Sequence, residues 1–271
     1  MPMAEHGHGL PAESAGPLAD SAGVPWAGRQ FAADGVANTD YADDDGTAPE
    51  HLLIALGRFR VDEVDASDVV DALRTSRLLI PLLATLAEAG VGATGLTADK
   101  SAELSIVTVA GPDGRSVLPV FSSVSAMRLW NPAARPVPAN AVRVALAAAS
   151  EQTDLVVLDP TSPTEFAVRR PAVWAIAQSA PWVPSFVDPE VLEVFQSSIR
   201  SESTVSSIEL ASGDPDATLA GPELVVRLAL VPGLDQLALG ALLARLQERW
   251  SADPLIASRV DSLAVKLVPT S

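Results

Sequence analysis

The sequence offers few side chains that could carry a chemical reaction. It contains three histidines and no cysteine among 271 residues, which removes thiol nucleophiles and thiolate metal ligands. His6 and His8 could share a metal ion, but no cluster of further ligands stands beside them. His51 would have to be the base of any Ser-His-Asp triad, and no Gly-x-Ser-x-Gly sequence supplies the nucleophile. We therefore predict no catalytic residue, no bound metal and no cofactor.

Two short motifs resemble binding sites. The run Asp43–Asp45 could hold a divalent cation, although acidic runs of this kind usually lie in solvated tails. Gly90, Gly92 and Gly95 have the spacing of the dinucleotide-binding glycines. That motif needs a strand before it and a helix after it, whereas here a loop and a strand follow. We interpret these residues as part of a tail and a loop.

Asp159 and Glu165 place two carboxylates near one turn, which is the pair a hydrolase would use. Asp159 is followed by Pro160, and an Asp-Pro pair favours a turn without any catalytic role. We interpret both acids as turn residues.

Aromatic and arginine side chains form the remaining candidate site. Aromatic residues make up 4 % of the chain, so core packing is the simpler explanation for those outside the N-terminal tail. The alternative is a groove between two domains, where ligands often bind. The candidate groove residues are Phe121, Trp130, Arg169, Arg170, Trp174 and Trp182.

The charge of the chain limits its partners. The net charge is −16, and residues 1–50 contribute half of it with nine acids and one arginine. A negative surface repels phosphates, so we predict no nucleic-acid partner. No apolar run approaches the 18 or so residues that cross a bilayer, and no signal peptide is visible. We expect a cytoplasmic protein without a membrane partner.

Hydrophobic periodicity and turn residues predict the elements that position these side chains. In the N-terminal half they indicate helices over 51–59 and 68–75, the second capped by Ser67, and a buried strand over 78–83 with Pro81 near a sheet edge. One strand is predicted over 104–110, followed by a hairpin turn at Asp113-Gly114 and a strand over 117–121. Ser123 and Asn140 cap the next two helices, strand 166–168 pairs with 155–158, and Pro171 begins a helix.

The C-terminal part predicts a smaller αββαβ unit. Asp188 caps a helix that begins with Pro189, and strands follow over 205–210 and 224–230. A long helix carries Leu239 to Trp250, and Leu263, Val265 and Leu267 alternate in the last strand. We predict an α+β fold whose mixed sheet has flanking helices. Its parts are a disordered acidic tail (1–48), an N-terminal α+β domain (49–179), a proline-rich linker (180–187) and a C-terminal α+β domain (188–271).

The central segment resembles a known family. The resemblance rests on Lys100–Glu103, Ile106–Val109, Asp113–Arg115, Leu118–Phe121, Ala126, Trp130–Pro132, Ala134–Pro136, Leu158–Pro160 and Arg169–Ala175. With these residues the chain is similar to the enhanced-serine-sensitivity (SseB) family of bacteria over about residues 66–180. The C-terminal unit resembles the family's second domain more weakly.

The resemblance implies an α+β fold and brings no established reaction or catalytic residue. We expect a non-enzymatic cytoplasmic interaction or adaptor module with a protein partner. The alternative is a sensor that binds a small, amino-acid-related metabolite between the two domains. The family's abbreviation also carries a type III secretion label, which we discount because translocators of that system have long apolar or coiled-coil segments.

Overall fold

The computed structural model describes residues 41, 43–85, 103–150, 153 and 155–269. The predicted tail up to residue 40, with His6 and His8, and the glycine motif at 90–95 lie outside the described residues. The described residues from 43 to 269 belong to one compact unit. The division predicted at 180–187 stays a prediction.

Helices alternate with strands along the described chain. The helices are α1 (Glu50–Phe59), α2 (Ala66–Arg74), α3 (Val124–Trp130), α4 (Ala141–Ser150), α5 (Arg170–Ala177), α6 (Pro189–Ser198), α7 (Gln236–Ala252) and α8 (Pro254–Arg259). The strands are β1 (Arg77–Thr85), β2 (Glu103–Ile106), β3 (Val109–Ala110), β4 (Ser116–Val120), β5 (Arg135–Asn140), β6 (Val156–Leu158), β7 (Phe166–Val168), β8 (Val205–Ser212), β9 (Leu224–Leu230) and β10 (Leu263–Val268). Helices packed on sheets of both strand orientations confirm the predicted α+β class. No helix among the described residues has the length and apolar character that a membrane crossing needs.

Helices α1 and α2 form because apolar residues recur at helical spacing and face one core. Leu56 of α1 and Leu73 of α2 are buried there together with residues of the neighbouring strands. Asp65, not the predicted Ser67, caps α2, and its carboxylate accepts the N–H of Ser67. Aspartate and serine are equally good N-cap residues. The sequence therefore did not decide which of the two caps the helix, and the path of the backbone does.

Strand β1 is the centre of the sheet β2-β1-β5, so the prediction that Pro81 lies near an edge is wrong. Leu79 exchanges two backbone hydrogen bonds with Phe121, of 2.8 and 2.9 Å. The backbone groups of Leu79 therefore point away from β5, and its partner there, Pro138, needs no N–H. The same alternation sets Pro136 opposite Pro81. Proline is tolerated at these positions because none of them needs a backbone N–H to donate a hydrogen bond to the neighbouring strand.

The single strand predicted over 104–110 is wrong, because two short strands in different sheets replace it. Strand β2 pairs with β1, and β3 pairs with β4. The predicted hairpin is confirmed: Val109 lies opposite Val117, and the turn holds Gly114 at φ 80°. Strand β4 runs parallel to β6, and β6 is antiparallel to β7, which completes the mixed sheet β3-β4-β6-β7.

A third sheet, in the order β10-β9-β8, builds the C-terminal part. Strand β9 runs parallel to β10 and antiparallel to β8. The rings of Phe195 on α6 and Trp250 on α7 lie 5.1 Å apart, tilted at 59°, and pack with the buried side chains of β9.

Helix α8 was not predicted, so the observed order is αββααβ. Asp253 caps it and Pro254 is its first residue. The same Asp-Pro signal correctly predicts α6 at Asp188 and Pro189.

Candidate functional site

Arg169, which directly precedes α5, lies at the centre of a buried ion-pair network. Only 7 % of this residue is exposed. Its guanidinium donates to Asp214 at 2.6 Å, to Asp261 at 3.2 Å and to the carbonyl of Gly221 at 2.7 Å. A buried cation is tolerated when carboxylates and carbonyls occupy its donors. Arg169 therefore ties the N-terminal elements to two segments of the C-terminal part.

Arg115, at the end of the β3–β4 turn, completes this network. It donates two hydrogen bonds of 2.9 Å to the two oxygens of Asp261 and a third of 2.8 Å to Asp113. Burial by itself raises the pKa of Asp261, but hydrogen bonds and charge from Arg115 and Arg169 bring it below the ordinary value. The carboxylate stays ionised and paired, which suits a structural role.

The loop at residues 213–222 supplies Asp214 and wraps around it. The Asp214 carboxylate accepts backbone N–H groups from Thr218, Leu219 and Ala220. Ala217 and Leu219 adopt φ values of 49° and 60°, which cost energy in residues with a side chain. The hydrogen bonds to Asp214 hold this strained backbone in place.

The same loop packs onto strand β7. The N–H of Ala167 donates to the carbonyl of Ala217 at 2.6 Å. Leu219 is buried with Val117, Leu155 and other residues of the mixed sheet. At the base of the loop, a side chain on Gly221 would meet the carbonyl of Gly213. The loop is therefore a strap from the C-terminal part across the N-terminal sheet.

Buried polar atoms without hydrogen-bond partners lie around a small pocket beside Arg169. Its volume is about 50 Å³, enough for a few water molecules, and Trp182 and Glu223 are among its lining residues. The Trp182 Nε1, the Ser185 Oγ and the Glu223 Oε1 are buried without a hydrogen bond. The other Glu223 oxygen accepts the N–H of Asp261 at 2.5 Å.

Burial raises the pKa of Glu223 above its ordinary value, and the nearby Asp261 N–H and Ser185 hydroxyl oppose this shift without cancelling it. The Ser185 hydroxyl lies near this carboxyl but makes no hydrogen bond with it. The neutral carboxyl is thus favoured in a site that offers its second oxygen no donor.

Arg170 and Trp174 form a separate pair on α5. The Arg170 guanidinium lies 5.0 Å from the ring centre of Trp174, in cation–π geometry. It also donates to the carbonyls of Ala257 and Val260, at 2.9 and 2.7 Å, at the end of α8. Trp174 is 41 % exposed, so one face of this pair meets solvent.

Phe121 and Trp130 lie in another cluster, with ring centres 5.3 Å apart and Leu79 and Met127 around them. Phe121 is completely buried. The six candidate groove residues therefore occupy three places: the pocket for Arg169 and Trp182, the end of α8 for Arg170 and Trp174, and a core cluster for Phe121 and Trp130.

Asp159 and Glu165 hold the turn between β6 and β7. Asp159 is completely buried and accepts hydrogen bonds from the amide and hydroxyl of Ser122, at 2.7 and 2.6 Å, and from Thr164 at 2.8 Å. Burial raises its pKa, and these hydrogen bonds act in the opposite direction. Glu165 accepts the N–H of Thr161 at 2.6 Å. Asp159 thus stabilises the turn from the buried side and Glu165 from the exposed side.

His51 and the acidic run at 43–45 also serve local structure. The His51 Nε2 lies 3.0 Å from the Ser76 hydroxyl and 3.2 Å from the carbonyl of Ala72, at the end of α2. Asp44 accepts a hydrogen bond of 2.8 Å from Arg77. Across the described residues, no group of three or more histidines and acids is placed to hold a metal ion.

Strand β10 is a site that sequence reasoning missed. Val265 and Leu267 lie in register with Val226 and Leu228 of β9, which are completely buried. Residues in register share a face of the sheet, yet Val265 is 38 % exposed and Leu267 is 45 % exposed. The apolar stripe of the C-terminal core therefore continues past the cover of its helices to the sheet edge.

The backbone of β10 also presents free polar groups. The Leu224 N–H donates to the carbonyl of Ser262 at 3.0 Å. In a parallel pair with this register, the N–H and C=O groups of Ala264 and Lys266 point toward β9 and form its hydrogen bonds. Those of Val265 and Leu267 point outward, and no described residue pairs with β10 on that side. The alternation in this strand was visible in the sequence, whereas its position at an edge was not.

The opposite edge, β8, is irregular. Its register with β9 shifts between Val205 and Ser207, and a bulge of this kind discourages further strand pairing. Strand β10 keeps a regular register over all six residues. Of the two edges, β10 is the one prepared to accept another strand.

Comparison with known proteins identifies the N-terminal part. No curated protein and no solved structure matches the chain. The family match ends at residue 175, so the resemblance of the C-terminal part to the family's second domain stays a prediction. Residues 50–175 match the SseB protein N-terminal domain, so this part of the chain is an N-terminal domain of the SseB family.

Proposed function

We propose that this chain is a non-enzymatic protein-interaction module that docks a partner at the free edge of β10. One observation carries the proposal: a regular edge strand presents unpaired backbone groups beside half-exposed Val265 and Leu267. A protein segment in extended conformation satisfies both features at once. It pairs with the backbone groups and covers the apolar stripe.

The ionisable residues that meet at Arg169 support a structural role for that network. Arg169, Arg115, Asp214 and Asp261 are committed to ion pairs of 2.6 to 3.2 Å. Groups held in this way orient the C-terminal part, including the residues just before β10. The network thus fixes the edge strand on which the proposed docking depends.

The energy available at the edge suits a transient partner. Completing the burial of two half-exposed apolar side chains contributes about 1 kcal/mol each, and each hydrogen bond adds about 1 kcal/mol. The cost of association consumes much of this sum. Side chains of the partner must therefore add selectivity.

The alternative of a metabolite sensor gains no support from the pocket at Trp182. Its volume of about 50 Å³ suits a few waters rather than an amino acid. Its unpaired Trp182 and Glu223 atoms are themselves closed off from solvent.

A comparative pull-down tests the proposal. The full chain, Val265→Ala and Val265→Pro are tagged, shown by circular dichroism to be folded at the assay temperature, and incubated with native lysate of a host that carries the gene. Quantitative mass spectrometry should find a reproducible partner that the wild type retains, Val265→Ala weakens and Val265→Pro loses. Leu237→Ser, which changes an exposed leucine on α7, is the control and should retain the partner. Recovery that is equal with Val265→Pro, or no reproducible partner at all, contradicts the proposal.

A further inference from the structure

We infer that the segment received by β10 alternates acidic with apolar residues. The inference rests on the proposed docking at this edge and adds the chemistry of the partner. It follows from the different character of the two faces of the sheet at β10.

The open face of the sheet carries an unpaired basic pair at this edge. Lys266 lies in register with Arg227 on β9, and both are exposed. Neither makes an ion pair or a side-chain hydrogen bond with another described residue. Glu209 lies opposite Arg227 on β8, on the side away from the free edge. The chain has a net charge of −16, so these two adjacent cations form a small positive patch on a mainly negative protein.

An added strand would bring its own side chains next to this pair. Residues opposite each other on neighbouring strands have Cβ atoms about 5 Å apart. A carboxylate at that distance from Lys266 is attracted, and a second cation is repelled. On the open face the edge therefore selects acidic residues.

The helix-covered face selects differently. There Val265 and Leu267 extend the apolar stripe of Val226 and Leu228. A polar side chain added beside them would gain no partner and would leave the stripe exposed. Since strand side chains alternate between faces, the favoured segment places an apolar residue at every second position and an acid between.

A second copy of the chain fits this edge less well. Two β10 strands related by a twofold axis, with their apolar faces on the same side, can oppose Val265, Lys266 or Leu267 to itself near the middle of the strand. Each of these registers brings two lysines within direct or diagonal reach, and β10 supplies no carboxylate between them. Lys266 thus opposes self-pairing while it favours an acidic strand.

Peptide binding tests the inference on the full chain. The probe is a fluorescent Ser-Val-Glu-Val-Glu-Val-Ser peptide, and its matched control has lysine in place of both glutamates. Fluorescence anisotropy should show the acidic peptide binding about fivefold more tightly than the basic one, from two exposed charge contacts. This preference should fall to less than about twofold in Lys266→Glu and should shrink in 0.5 M salt. Val265→Pro should weaken the acidic peptide by about tenfold, the cost of one lost hydrogen bond and its apolar contact.

The outcomes separate this inference from the proposed function. Equal binding of both peptides to the wild type, or failure of both while Val265→Pro still loses a lysate partner, overturns the partner chemistry and leaves docking at β10 in place. Failure of both peptides together with lysate partners that ignore Val265→Pro overturns both proposals. Light scattering that shows a dimer, lost in Val265→Pro, would make a second copy the occupant and overturn the acidic partner.

Discussion

The guanidinium of Arg115 donates two parallel hydrogen bonds of 2.9 Å each to the carboxylate of Asp261. One residue ends the β3–β4 turn and the other lies two residues before β10. The start of the edge strand is therefore anchored to the N-terminal sheet. Arg169 binds the same carboxylate from the buried side.

Removing Asp261 should destabilise the fold strongly. Asp261→Ala leaves the buried Arg169 with one carboxylate instead of two and Arg115 without its main partner, so we expect a loss of about 3 kcal/mol in the free energy of unfolding. Arg115→Ala should cost only about 1 kcal/mol, because Arg115 is partly exposed and Asp261 keeps Arg169. Urea denaturation measures both values.

The exposed pair Arg200–Glu193, 2.6 Å long, provides the control for this comparison. Arg200→Ala should change the free energy of unfolding by less than about 0.5 kcal/mol. A loss for Asp261→Ala no larger than for Arg200→Ala would show that the network does not hold the fold.

The sequence pointed to Arg169 as a candidate but not to its partners. Asp214 and Asp261 follow it by 45 and 92 residues, and no local pattern encodes which distant residues meet. The edge of β10 escaped prediction for the same reason. Alternation showed that Val265 and Leu267 belong to a strand, whereas only the strand order shows that one side of it is free.

Leu219 should behave as a core residue although it lies in a loop. It is buried against the N-terminal sheet, so Leu219→Ala should cost about 3 kcal/mol. The matched variant Leu237→Ala changes a leucine that is 84 % exposed and should cost less than about 0.5 kcal/mol. Thermal unfolding followed by circular dichroism compares the two. Equal effects would mean that the loop at 213–222 does not pack as a strap.

Replacement of Glu223 should change how stability depends on pH. Burial raises the pKa of this carboxyl in the folded chain, so folding strengthens its hold on the proton. Its stabilising contribution is complete below the pKa of the unfolded chain and is lost as pH rises through the folded pKa. Glu223→Gln remains neutral. Its free energy of unfolding, relative to wild type, should therefore rise as pH increases from mildly acidic to 8.

Urea titrations at a series of pH values measure that difference. Leu237→Ala, which changes an exposed side chain that does not titrate, is the control and should differ from wild type by a nearly constant amount. A flat difference for Glu223→Gln as well would show that Glu223 is ionised in the folded chain without penalty.

Local signals predicted much of the secondary structure. Ser123 and Asn140 accept the N–H groups of the helices they precede, as expected, and Asp113-Gly114 lies in the turn of the β3–β4 hairpin. The break between β2 and β3 carries no such signal, because residues 106–109 across it are all β-branched and favour a strand. Their partners in two different sheets, β1 and β4, decide where the strand divides.

Proline substitution at neighbouring positions of β10 should reveal which side of the strand is free. The N–H of Ala264 belongs to the ladder with β9, whereas that of Val265 points to the open edge. Both variants restrict the backbone in the same way. Ala264→Pro also removes a ladder hydrogen bond and sets its ring against β9.

We therefore expect Ala264→Pro to be less stable than Val265→Pro by about 2 kcal/mol. Urea unfolding measures the difference, and Val265→Ala shows how much of the Val265→Pro effect comes from the lost side chain. Equal losses for the two proline variants, beyond the effect of Val265→Ala, would mean that the outward N–H of Val265 already has a partner. In that case β10 would offer no free edge for a docked strand.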